Sequence, residues 1–165
     1  MSCTASAATA RPYVAVEHWD AECVGWHVCK QATRFAALDP ISQGLVATTG
    51  SVAVDAARGL SLRMDHGTQY LSDRFQNQLK YWGISPSFAF IEQPQTDGVA
   101  ERFIRTLKEQ VIYGRVFQNR QEVWQAVRHF VDTYNREWLV EKNGFKSPWQ
   151  ARAQWLAQAS LARAA

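Results

Sequence analysis

Asp65 and Glu101 are two acids whose neighbours suggest a purpose, and 35 residues lie between them. Asp65 closes the apolar run Gly59-Leu60-Ser61-Leu62-Arg63-Met64 and is followed by His66-Gly67-Thr68-Gln69-Tyr70. Glu101 lies in Asp97-Gly98-Val99-Ala100-Glu101-Arg102-Phe103, at the start of a strongly helical stretch. A carboxylate leaving a rigid strand and one on a later helix are suitable oxygen ligands for Mg²⁺ or Mn²⁺. Two such ions would activate a water or a 3′-hydroxyl and stabilise the leaving oxygen of a phosphoryl transfer. A site of that kind normally takes a third carboxylate upstream, and the sequence has no Asp or Glu before Glu17.

Helical periodicity places Arg105 and Lys108 on the same face as Glu101, one and two turns on. Val99, Phe103, Leu107 and Val111 fall on the opposite face, which must pack on a sheet. A carboxylate could thus hold a metal while the two cations contact phosphates. The same spacing also suits plain i,i+4 and i,i+7 ion pairing on a solvated helix. For Asp65 the alternative is turn chemistry at a strand end. His66 could orient water or a phosphate, or bond to backbone within its turn. Glu17 and Asp20 fall at a strand end and in a turn, where neither is expected to replace the upstream acid.

The elements that must position these residues read as follows. Residues 1–12 are small and polar without periodicity, a poorly ordered leader. Tyr13–His18 and Cys23–Cys29 are β-branched, apolar runs joined by a short turn, a hairpin. Arg34–Thr48 has helical spacing interrupted by Pro40 and Gly44. Gly59–Asp65 is a buried strand, and Ser72 caps a helix that stops at Gly83. Ile84–Ile91 is a strand with Pro86 marking an edge or bulge. Glu92–Thr96 is a loop, Asp97 an N-cap, and the helix from Gly98 runs to about Tyr113. A second helix opens at 118–121 and a third at Ser147-Pro148, with serine as cap. Strands followed by mixed elements and then helices predict an α/β sheet with helices packed on it.

At 165 residues, 47% hydrophobic and 12% aromatic, the chain suits one globular domain with a real core. A net charge of +3 is compatible with a nucleic-acid partner and equally with an ordinary soluble protein. Cys3, Cys23 and Cys29 form no CxxC pair, so free thiols in a reducing cytoplasm are expected. No apolar run approaches the ~20 residues of a membrane span. Trp124, Trp138, Trp149 and Trp155 occur at helical spacing and are expected in core or subunit contacts.

The strings MDHGTQYLSDRFQNQLKYWGISPSF and EQPQTDGVAERFIRTLKEQ resemble the catalytic core of bacterial insertion-sequence transposases, the group related to retroviral integrases. Asp65, His66, Gly67 and Tyr70 match the first motif, and Gly98 to Phe103 with Thr106, Leu107, Lys108 and Glu109 match the second. Tyr134-Asn135 and Phe145-Lys146-Ser147-Pro148-Trp149-Gln150-Ala151 resemble the family's later motifs. The resemblance covers residues 13–155, with 156–165 as the end of the last helix and a tail. It implies a ribonuclease-H-like mixed sheet flanked by helices, and DNA transposition or integration through two Mg²⁺ or Mn²⁺ ions. Asp65 and Glu101 would be catalytic metal ligands. Arg102, Arg105, Lys108 and His66 would contact DNA. DNA, further copies of the chain or an intact transposase would be the partners.

Two departures qualify this. Asp97 stands where the family more often has Asn. The family's first catalytic Asp lies on a central strand before the one that Tyr13–His18 resembles, so this sequence is expected to lack both that strand and that acid. The expectation is an N-terminally truncated core, inactive alone, less stable than a full core and prone to association. Competing readings are a non-catalytic DNA-binding or subunit-interaction fragment, and a generic α/β domain with structural acids.

Overall fold

A computed structural model describes residues 11–29, 33–88 and 98–164. The hairpin forms as its apolar alternation predicts. β1 (Arg11–Val16) pairs antiparallel with β2 (Cys23–Cys29), with a bulge between Ala15 and Val16. The strand begins two residues before Tyr13, so Arg11 and Pro12 belong to the sheet rather than to a leader.

Helix α1 (Arg34–Thr49) runs straight through Pro40 and Gly44, the two residues that weaken its periodicity. Packing explains why. A Cβ on Gly25 would collide with the Pro40 backbone, standing 2.9 Å from its Cα, so the bare glycine lets α1 lie directly on β2. Gly44 meets the Val24 side chain in the same way. Thr33 Oγ1 caps the helix by accepting from the Ala36 N–H at 3.1 Å, and Gly50 ends it at φ 77°.

β3 (Ser61–Met64) and β4 (Ser85–Phe88) pair in parallel, with Pro86 opposite Leu62. The connection between them carries α2 (Thr68–Leu71) and α3 (Asp73–Trp82). Gly83 closes α3 in the left-handed region, as read. Ser72 occupies the N-cap position of α3, but its hydroxyl donates to the Gln69 carbonyl at 2.9 Å instead of accepting from the helix. The cap at Asp97, the loop at 92–96 and the last residues of the strand ending at Ile91 lie outside the described residues.

α4 (Gly98–Leu107) passes into a π-turn over Lys108–Ile112, and Tyr113 N–H closes it onto the Lys108 carbonyl at 2.8 Å. α5 (Arg120–Glu137) follows, capped by the Asn119 side chain, which accepts from the Glu122 N–H. A 3₁₀ turn at Glu141–Asn143 leads to α6 (Pro148–Ala164), where Ser147 Oγ accepts from the Gln150 N–H at 3.3 Å and Gln150 Oε1 accepts from the Ser147 N–H.

The hairpin is covered on both faces. Tyr13 points into a core built from α1, α3, β3 and β4 around Phe75, Leu79 and Trp82. Val14 and Val16 point into a second core with Phe103, Leu107, Val127 and Tyr134 of α4 and α5. This is the helix–sheet–helix layering of a ribonuclease-H-like α/β fold. Among the described residues the four strands form two separate two-stranded sheets, with no described strand joining β1 to β3. Whatever residues 1–10 contribute there lies outside the described chain.

Burial pushes the Cys23 thiol up to about 12 and the Tyr134 phenol up to about 12. Above pH 9.0 an unfolded chain releases the Cys23 proton while the folded chain keeps it. Stability present below pH 9 is therefore lost as pH rises toward 12, at up to about 1.4 kcal/mol per pH unit from this thiol. Urea midpoints measured from pH 8 to 10 should fall accordingly, and Cys23→Ala should flatten that fall. A flat wild-type profile would contradict it.

Candidate active site

Met64 is buried and ends β3, so Asp65 emerges at the carboxyl end of the strand into solvent. Its Oδ1 accepts the Gly67 N–H at 2.8 Å, which fixes the turn. A Cβ at Gly67 would stand 2.8 Å from that same oxygen, so a larger residue here would push the Asp65 carboxylate and the Gln69 side chain aside. His66 is exposed, with its ring 5.5 Å from that of Phe88 on the neighbouring strand.

Glu101 lies in the first turn of α4 and is exposed. A carboxylate is favoured there by the helix dipole. Phe103, Leu107 and Val111 are buried on the opposite side, as the period predicts, although they pack on α5 as much as on the hairpin. Phe103 meets Tyr134 edge-on at 4.7 Å. Arg105 is exposed and Lys108 half-buried on the Glu101 side. The plain alternative, ion pairing along this face, is not what forms: among the described residues Glu101 pairs with neither cation. Arg102 instead reaches Glu141 at 3.8 Å, both side chains being largely exposed.

The donor chemistry suits a hard cation, since both acids offer exposed carboxylate oxygens. The number falls short: among the described residues no group of three His, Cys, Asp or Glu side chains gathers to hold a metal.

Asp20 is fully buried and committed elsewhere, with Oδ2 2.7 Å from Arg152 Nε and Oδ1 accepting the Glu22 N–H at 3.0 Å. Glu17 accepts the Trp19 N–H within its own turn. Sequence reading missed the clasp to which Asp20 belongs. Arg152 also pairs with Glu22, which accepts from Trp149 Nε1 at 2.8 Å, and the Asn135 amide bonds both N–H and C=O of Cys23. The later family-like motifs were its signal. Of the tryptophans expected in core or subunit contacts, three stand at the surface: Trp124 beside Trp26, Trp155 beside Trp19, and Trp149 under the Arg136 guanidinium. Trp138 stacks on Tyr134.

Residues 82–139 match the integrase core domain family. The chain is 30% identical over 134 residues to the transposase for insertion sequence element IS629 of Shigella sonnei, covering 81% of this chain and 43% of that protein. It is 32% identical over 91 residues to the transposase for insertion sequence element IS904 of Lactococcus lactis subsp. lactis, covering 54% of this chain and 36% of that protein. The chain thus spans less than half the length of these relatives. Among solved structures, the BIV integrase catalytic core matches with a TM-score of 0.63 at 18% identity, covering 96% of this chain and 95% of that one. The HTLV-2 integrase catalytic core in complex with magnesium matches with a TM-score of 0.59 at 16% identity, covering 86% of this chain and 90% of that one. Sequence and fold converge on one assignment: this chain carries an integrase core of the insertion-sequence transposase type.

Proposed function

We propose that this chain handles DNA in transposition or integration, with Asp65 and Glu101 as its share of a divalent-metal site. The observation that carries this is the division of α4. Its apolar side is sunk in the core, while Glu101, Arg105 and Lys108 stand on the other side without pairing among themselves. A helix stabilised by surface ion pairs would not leave them so.

In this reading Asp65 and Glu101 would hold Mg²⁺ or Mn²⁺, and the metal would supply charge stabilisation and activation of the attacking oxygen. Arg102, Arg105, Lys108 and His66 would position phosphates. The chain's own part is to fix the Asp65 carboxylate through Gly67 and to present α4 on a buried aromatic base. Among the described residues no three His, Cys, Asp or Glu side chains gather to hold a metal, and binding without cutting is the reading that agrees with this. Association with further copies or with an intact transposase would complete the assembly. Cys23 is a buried free thiol, in keeping with a cytoplasmic setting. No described helix is long and apolar enough to cross a membrane.

The test uses the purified chain with labelled duplex DNA and Mg²⁺ or Mn²⁺. Salt-dependent binding without strand cleavage or transfer is expected. The double variant Arg105→Ala, Lys108→Ala should lower the slope of log K against log salt by about 2, roughly one for each phosphate contact. Robust strand transfer that Glu101→Gln abolishes would overturn the inactivity, and an unchanged slope would remove this face as the DNA surface.

A further inference from the structure

Phe145 is held out in solvent at 67% exposure and in a left-handed backbone conformation, φ 58°. Neither feature helps the fold. A bulky residue at positive φ is strained, and an exposed ring adds little to the core. The turn that presents it is nevertheless firmly built. The Phe145 N–H donates to the Val140 carbonyl at 3.1 Å, the Val140 N–H to the Lys146 carbonyl at 3.2 Å, and the Gly144 N–H to the Glu141 carbonyl at 2.9 Å. Asn143 Nδ2 donates to the Asp20 carbonyl at 2.7 Å and Lys142 Nζ to the His18 carbonyl, which ties the turn to the hairpin.

The Glu141–Arg102 contact puts this turn beside the first turn of α4, one residue from Glu101. Leu139, 60% exposed, extends the apolar surface of the same segment. Lys142 and Lys146 bond to neutral acceptors, a backbone carbonyl and the Gln154 amide oxygen, so their charges remain uncompensated. An exposed ring with two such lysines beside it in the same short segment complements a base with its flanking phosphates. Protein interface cores, by contrast, are depleted in lysine.

We propose that Phe145 is a stacking platform for an unpaired nucleobase of DNA engaged at α4, with Lys142 and Lys146 meeting the flanking phosphates. This rests on the DNA reading above.

The experiment measures binding of the full chain and its variants to a single-stranded DNA oligonucleotide carrying 2-aminopurine. Phe145→Ala should weaken binding about tenfold at fixed salt, abolish the 2-aminopurine quench and leave the salt slope unchanged, because the lost contact is uncharged. Phe145→Trp should keep affinity and quench. Phe145→Gly should lose stacking while its melting midpoint rises by about 2 °C through relief of the positive φ, which separates stacking from folding. Binding by Phe145→Ala within twofold of wild type, while Arg105→Ala, Lys108→Ala weakens it, would overturn the stacking role and leave the DNA reading standing. A wild-type chain that does not bind the oligonucleotide overturns both. A change in self-association by light scattering without a change in DNA binding would make Phe145 a contact between copies and overturn the proposal.

Discussion

Asp20→Ala is expected to destabilise the chain by about 3 kcal/mol, the low end for breaking a buried ion pair. The Asp20 carboxylate has no solvent access, and it holds Arg152 Nε at 2.7 Å and the Glu22 N–H at 3.0 Å. Alanine removes the negative charge and leaves the guanidinium beside Glu22 alone. The Arg152 side chain keeps 32% exposure, so water partly rehydrates it, which is why the upper end does not apply. Domains are typically stable by only about 5–15 kcal/mol, so the loss is a large part of the whole. Asp20→Asn keeps an acceptor for the Glu22 N–H and should cost less. Urea unfolding followed by far-ultraviolet dichroism reads both effects. An Asp20→Ala midpoint equal to wild type would show that the Arg152 pair contributes nothing in solution.

Phe103→Ala is expected to cost about 3–5 kcal/mol, the range for emptying an aromatic site in a closed core. The ring is 1% exposed, edge-on to Tyr134 at 4.7 Å and 5.9 Å from Phe130. It is also the wedge that seats the first two turns of α4, so its loss should loosen Glu101 and Arg105 together. Phe103→Leu refills most of the volume and should cost about 1 kcal/mol. Limited proteolysis provides the second readout: cleavage within 98–112 should appear in Phe103→Ala well below its global midpoint. Wild-type resistance there would mean that α4 is held by other contacts.

What could be read from residue order was what depends on period and local chemistry. The buried face of α4 followed from Phe103, Leu107 and Val111, and the end of α3 from Gly83. The hairpin followed from its alternation. α1 was harder, because Pro40 argues locally against a helix while the helix packs on the preceding strand, where Gly25 leaves room for the Pro40 backbone. The pairings of the clasp were not legible, although Asn135 and Trp149 lie in the later family-like motifs. Periodicity says which face is apolar, not which polar groups meet across more than a hundred residues, and nothing near Asp20 announces Arg152. The tryptophans could not be divided between core and subunit contacts for a related reason. Helical spacing suited burial, but α6 is mostly exposed beyond its first turn and a half, and Trp155 meets Trp19 from the hairpin turn at the surface. Asp65 and Glu101 were named from motif strings, and the positions they occupy, a strand end and an open helix face, were readable. The lack of an acid upstream of Glu17 was readable as well.

The clasp also bears on the order of assembly. Its bonds join residues 112 to 132 positions apart: Asn135 to Cys23, Glu22 to Trp149 and Asp20 to Arg152. The hairpin, made from neighbours in sequence, therefore has its turn locked only when α6 arrives. Contacts of such separation form slowly, because a long loop must close before they reward it. Until then Asp20 carries an unpaired charge in a half-built core, and a ribosome still holding 148–164 holds back the final step of folding. The hairpin turn and α6 thus form one cooperative unit, and peeling α6 away at any later time would release the turn with it.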